Sequence, residues 1–273
     1  AFDAHNRILF AGTDTAGIFR LMDVGSSLID GGHYMVNEPV VQVASDSTGA
    51  AFAFFRTPSS VYRAENGGMG WTKVESIFSS PTALVVANAQ PPVAYVGTVD
   101  LGVIKSTDGA AWMLANDGLN LSPGVRLQVD VLAVDPVQPN VLYAATSYLM
   151  GSTTLHQTSN GVQMTANGAD EWSNVVRSSE GVVSDLMPVS GKTGAVYALS
   201  NLSRAPLALG VAQVAPVLAN ATPVTTPWTI AGVAATWLVV LAAAAWLGVL
   251  LYAEVRGRVP ARMGQAQTVT INQ

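Results

Sequence analysis

The 273-residue chain contains no cysteine, which excludes a disulfide framework, a thiolate zinc site, an iron–sulfur cluster and a CxxCH haem attachment. Histidine is nearly as scarce. His5, His33 and His156 lie far apart and form neither an HExxH nor an HxxxH pair, so the sequence implies no metal and no cofactor. Charge is also short: 11% of residues are charged, against about a quarter in an ordinary soluble domain. Lys plus Arg number 13 and Asp plus Glu 18, a net charge of −5, which leaves no basic face for a nucleic-acid partner. A GxxxxGK[ST] phosphate loop is missing too.

What the chain has in excess is apolar residues, 49% of the total, and they are densest near its end. From Ile230 to Ala253 there are 24 residues with Thr236 as the only clearly polar side chain. At ~1.5 Å rise per residue, a helix of this run crosses the ~30 Å hydrocarbon core of a bilayer. The expectation is one transmembrane helix over 228–253, with Trp228 and Tyr252 as interfacial anchors. Trp237 and Trp246 lie deeper, against lipid or a neighbouring helix in the first place and a pigment-like cofactor after those. Gly232 with Thr236, and Ala244 with Gly248, have the small-xxx-small spacing that lets another helix approach closely. No charge occurs between Arg204 and Glu254, while Arg256, Arg258 and Arg262 follow the run at once. The positive-inside rule then places the basic tail 254–273 in the cytoplasm and the large N-terminal part outside. Residues 220–227, which include TPVTTP, read as a Pro/Thr stalk between the two. An opening at Ala1, without Met, fits a processed exported protein or a fragment.

Self-comparison of that N-terminal part shows repeats. ILFAGT (Ile8–Thr13), AFAFFR (Ala51–Arg56), AYVGTV (Ala94–Val99), LYAATS (Leu142–Ser147) and VYALSN (Val196–Asn201) have strand-like composition. Their aromatic residues Phe10, Phe52, Tyr95, Tyr143 and Tyr197 are spaced 42, 43, 48 and 54 apart. A second strand follows several of them, as in AGIFRL and LGVIKS. Three units then carry Asp or Asn with Gly shortly before Trp: Asn66, Gly67 and Trp71; Asp108, Gly109 and Trp112; Asn167, Gly168 and Trp172. These read as structural turns. The Asn or Asp side chain accepts backbone N–H groups across the bend, glycine supplies positive φ, and Trp packs on the sheet.

On these residues the chain resembles the Asp-box (bacterial neuraminidase) repeat, S-x-D-x-G-x-x-W. The family includes sialidase-like β-propellers, sortilin-type receptor domains, xyloglucanases and photosystem II assembly factors. The resemblance covers residues 1–201 and implies an all-β fold, a β-propeller of four-stranded blades. About five blades are recognisable within an exported domain 1–219. The first unit, Leu21–Tyr34, has lost its Trp, two boxes have Asn for Asp, and Pro206–Ala219 would have to complete the fifth unit as a strand pair. Either the ring has five irregular blades, or blades are missing upstream, or a partner covers its open edges.

Catalytic groups are harder to assemble. Phe55-Arg56-Thr57-Pro58 resembles the F-R-I-P element that supplies a sialidase's first arginine, yet Arg126 and Arg177 are unplaced candidates for the rest. The Asp and Glu residues are scattered, mostly in turn contexts such as Asp14, Asp117 and Asp135, rather than paired for glycoside hydrolysis. The resulting expectation is a non-catalytic, single-pass membrane protein. It would serve as accessory, scaffold or assembly subunit of a larger membrane complex, photosynthetic or respiratory, touching the lipid bilayer and other membrane protein subunits through its helix and propeller edges. The alternative is a cell-surface glycan-binding protein or a sialidase-like glycoside hydrolase.

Overall fold

A computed structural model describes residues 1–49, 52–119, 125–151, 154–176, 181–202 and 205–210. They form nineteen strands in five antiparallel sheets taken in chain order. The first sheet holds β1 (Phe2–Asp3), β2 (Ile8–Gly12), β3 (Ile18–Asp23) and β4 (Leu28–Tyr34). The second holds β5 (Gln42–Ser45), β6 (Ala53–Arg56), β7 (Val61–Glu65) and β8 (Gly70–Lys73). The third holds β9 (Pro81–Ala87), β10 (Val93–Thr98), β11 (Val103–Ser106) and β12 (Met113–Leu114). The fourth holds β13 (Arg126–Val134), β14 (Leu142–Met150), β15 (His156–Thr165) and β16 (Ser173–Val176). The fifth has three described strands, β17 (Val183–Pro188), β18 (Val196–Ser200) and β19 (Leu207–Leu209).

Each sheet is a simple meander, and successive sheets pack face to face along their first two strands, β2 on β5, β5 on β9, β9 on β13 and β13 on β17. This is propeller-like architecture. Its core is four separate seams rather than one centre. Ile8, Phe10 and Ile18 of the first sheet meet Ala53, Phe55 and Trp71 of the second. Phe52, Phe54 and Val61 meet Leu84, Val96 and Ile104. Tyr95 and Val103 meet Leu127, Leu142 and Trp172, and Tyr143 and Val162 meet Leu186, Val196 and Ala198. Alternation explains this: neighbours in one strand point to opposite faces, so each internal sheet must bury both.

Strand pairing corrects one alignment. Phe10, Tyr95 and Tyr143 face Arg20, Lys105 and Met164 on the third strand, and in the second sheet it is Phe54 that faces Arg63. The repeat residue is therefore Phe54, not Phe52, which precedes β6. The AFAFFR segment has three aromatics, and composition alone does not choose among them. The first sheet is complete despite its lost Trp, because β4 pairs with β3 without it. Of Pro206–Ala219, the described part supplies β19 as a third strand.

The described strands belong to a compact unit, Ala1–Ala212; a second unit, Gln213–Gln273, lies outside the described residues. Among the described residues no helix is long and apolar enough to cross a membrane. The stalk, the apolar run with Trp228, Gly232, Thr236, Trp237, Ala244, Trp246, Gly248 and Tyr252, and the tail with Arg256 and Arg258 all fall outside them.

Candidate functional site

The Gly-and-Trp turns connect third to fourth strands and all lie at one end of the sheets. In the third sheet Asp108 Oδ1 accepts N–H groups of Ala110 and Ala111, each at 2.8 Å, while the Ser106 hydroxyl accepts Gly109 N–H at 2.8 Å. Those N–H groups, first Ala110 and then Ala111, with the Ser106 hydroxyl, hold the Asp108 carboxyl below the usual range. In the fourth sheet Asn167 Oδ1 accepts Glu171 N–H at 3.1 Å and the Thr165 hydroxyl at 2.6 Å. The second sheet is built otherwise. Ala64 stands where Ser106 and Thr165 stand, and Asn66 and Gly67 form a 3-10 turn with φ of 50° and 64°. Gly, and after it Asn or Asp, adopts that left-handed backbone at least cost.

These turns are also where neighbouring sheets lock. Arg20 donates to Gly67 O at 2.8 Å; Lys105 donates to Gly168 O at 2.9 Å and pairs with Asp170 at 2.6 Å. Tyr95 also donates to Gly168 O, at 3.2 Å, and burial, with Asp170 nearby, pushes its pKa up to about 12. Trp172 donates to Ala115 O of the preceding sheet at 2.8 Å, whereas Trp112 reaches only Gly109 O of its own turn, at 3.3 Å. In the Asp108 and Asn167 boxes, then, polar groups already have partners, whereas the Asn66 turn departs from the expectation and is held by its backbone without a side-chain cap. The first-to-second-strand turns at the same end are capped similarly by buried Asp3, Asp46 and Asp135.

The opposite end differs. Arg56 takes the position held by Gly12 and Gly97 in other sheets; there a glycine is needed because a Cβ on Gly97 would sit 2.5 Å from Val129 Cγ1. Arg56 Nε donates to Gln42 at 2.9 Å and Nη1 to Pro81 O at 3.3 Å, and burial lowers its pKa. Gln42 in turn bonds both the N–H and the C=O of Leu84 across the seam. Arg56 thus braces a seam. Arg126 is exposed at the start of β13, and Arg177 lies outside the described residues.

One titratable group at this end stands out. Asp130 is the extra residue of a β-bulge, between Val129 paired with Thr146 and Val131 paired with Ala145. Bulges re-aim side chains out of the alternation, which is how a carboxyl fits in so apolar a strand. Its Oδ1 accepts from Gln128 Nε2 at 2.8 Å, the Ser147 hydroxyl at 2.9 Å and Gln157 Nε2 at 2.8 Å. Its Oδ2 is buried without a hydrogen-bond partner. Burial pushes the pKa up to about 6, against the downward pull of those three donors. Strands β14 and β15 run on past the other sheets' strands to Met150 and His156, so a hairpin wall with exposed Met150, Leu155 and Gln157 rises beside it. The connections bearing exposed Asp14 and Asp100 open at this same end. Among the described residues no cluster of His, Asp and Glu could hold a metal ion.

Neither a protein-family model nor a curated protein sequence matches the chain. Solved structures do. The GH74 xyloglucanase from Xanthomonas campestris is similar at TM-score 0.51 and 15% identity, over 72% of this chain and 32% of that one. An ancestral GH74 enzyme is similar at TM-score 0.52 and 15% identity, over 76% and 30%. The chain thus spans about a third of the length of these enzymes. At this identity the likeness establishes the β-propeller-like fold. It also corrects the expectation of a non-enzyme: the like-folded structures are glycoside hydrolases.

Proposed function

We propose that this chain is a glycan-directed β-propeller of glycoside-hydrolase type, with Asp130 as the proton donor. The observation that carries the reading is the Asp130 carboxyl on a first-strand bulge, raised to about 6 by burial and with one oxygen unpartnered. A glycosidase acid must stay protonated near working pH, and burial is the usual means. The similar fold of GH74 enzymes supports a polysaccharide as substrate class. In the reaction Asp130 gives its proton to the glycosidic oxygen, the bond to the anomeric carbon breaks, and water supplies the hydroxyl. A second carboxylate, roughly 5–10 Å away across the bond, takes the water's proton or forms the glycosyl intermediate. Asp100, exposed on the β10–β11 connection at the same end, is assigned that role, and a bound sugar displaces exposed Gln157 to reach Asp130. Ile230–Ala253, read as a membrane anchor, would hold the propeller at the cell surface.

The test is release of reducing ends from xyloglucan, other β-glucans and sialosides by the full chain. Turnover of a β-glucan is expected, falling at least 100-fold in Asp130→Asn and Asp100→Asn with retained binding. No turnover of any glycan, or equal turnover in Asp130→Asn, contradicts the assignment.

A further inference from the structure

Each internal seam repeats one arrangement. The aromatic of the second strand points to the sheet that follows and is covered by it: Phe10, Phe54, Tyr95 and Tyr143 are 3%, 0%, 2% and 0% exposed. The residues beside it point to the sheet that precedes: Phe55, Ala94, Val96, Leu142, Ala144, Val196 and Ala198 are all buried. Two faces break the rule. Tyr197, the fifth aromatic, is 43% exposed, beside exposed Met187 and Leu199 in a groove of about 450 Å³ that also includes Asp185 and Pro206. On the first sheet, Leu9 and Ala11 stand where Val196 and Ala198 stand but are only half-buried. Their cross-strand partners Phe2, Leu21 and Phe19 extend that apolar face.

We infer that these two faces pair between copies of this chain, the fifth sheet of one docking on the first sheet of the next. Both halves of the recurring seam are on one molecule, and the exposure of Tyr197 means that they do not cover each other within it. An unrelated partner would cover one face; head-to-tail association covers both with the geometry used four times inside the chain. The fourth seam supplies the polar detail. There the Tyr143 hydroxyl accepts Gly194 N–H, in the β17–β18 turn, at 2.8 Å. In the pairing between copies the Tyr197 hydroxyl meets the β1–β2 turn, Ala4–Arg7, which holds the corresponding place in the first sheet. The inference rests on the fold and stands apart from glycan chemistry.

The absence of cysteine makes the test clean. Full-length Leu199→Cys and Ala11→Cys variants are oxidised separately, mixed, and combined in one chain. A disulfide-linked pair is expected from the mixture alone, together with dimers or larger species of the native chain in light scattering. Tyr197→Asp should weaken association at least tenfold, with Met187→Lys as the second variant should the first not fold. A monomer, a cross-link formed by either single variant alone, or an intrachain bond in the double variant at high dilution overturns the inference.

Discussion

At Asp130 the sequence offered one faint sign: after Arg126, Gln128 and Asp130 are the polar residues of β13, two apart and so on one face in simple alternation. The bulge that turns Asp130 out of the alternation, and the donors from Ser147 and Gln157, come from strand pairing and were not legible. Its titration has a consequence for stability. The folded pKa of about 6 lies above the ordinary carboxylate value, so the folded state holds the proton more tightly. Its burial costs nothing below about pH 4 and its full amount above about pH 7. Allowing for partial exposure, the native chain should lose about 2 kcal/mol between pH 4 and pH 8 through this group, and Asp130→Asn should not. Urea midpoints at the two pH values check this; equal losses in both proteins would contradict the assigned environment. Gly97 makes a second case. A methyl group there meets Val129 Cγ1 at 2.5 Å, so Gly97→Ala should destabilise by about 1–3 kcal/mol in thermal or urea unfolding.

At the scale of elements, the box turns were the most legible part because their chemistry is local. Ser106, Asp108 and Gly109 bond one another and the next two N–H groups, so spacing alone reveals the turn. The reach of Arg20 to Gly67 and Lys105 to Gly168 joins residues 47 and 63 apart, and no periodicity announces it. Two tryptophans of like position therefore differ in weight. Trp172→Phe strands the Ala115 carbonyl at a buried seam and should cost about 1–3 kcal/mol. Trp112→Phe gives up a longer bond within its own half-buried turn and should cost less, about 0.5–1 kcal/mol. Denaturant midpoints of the two variants compare them directly. Reversal of that order would mean that the boxes stabilise their own sheets rather than the seams.

For the whole molecule, the repeated strand-length segments, taken with the Asp-box resemblance, foretold about five sheets and propeller-like packing. The sequence did not foretell which faces the ends leave open. That depends on whether each sheet has a follower, and Tyr197 looks like its four counterparts until exposure separates them. The expectation of a non-enzyme is likewise corrected by the fold shared with GH74 enzymes and by no local motif. The glycan reading is tested most directly by the pH dependence of β-glucan hydrolysis, followed from pH 4 to pH 8 for the native chain and Asp130→Asn. An alkaline limb with an apparent pKa near 6 is expected in the native protein and should vanish, with at least 100-fold lower rate, in the variant. A native rate unaffected by pH across that range, or the same limb in Asp130→Asn, would contradict it.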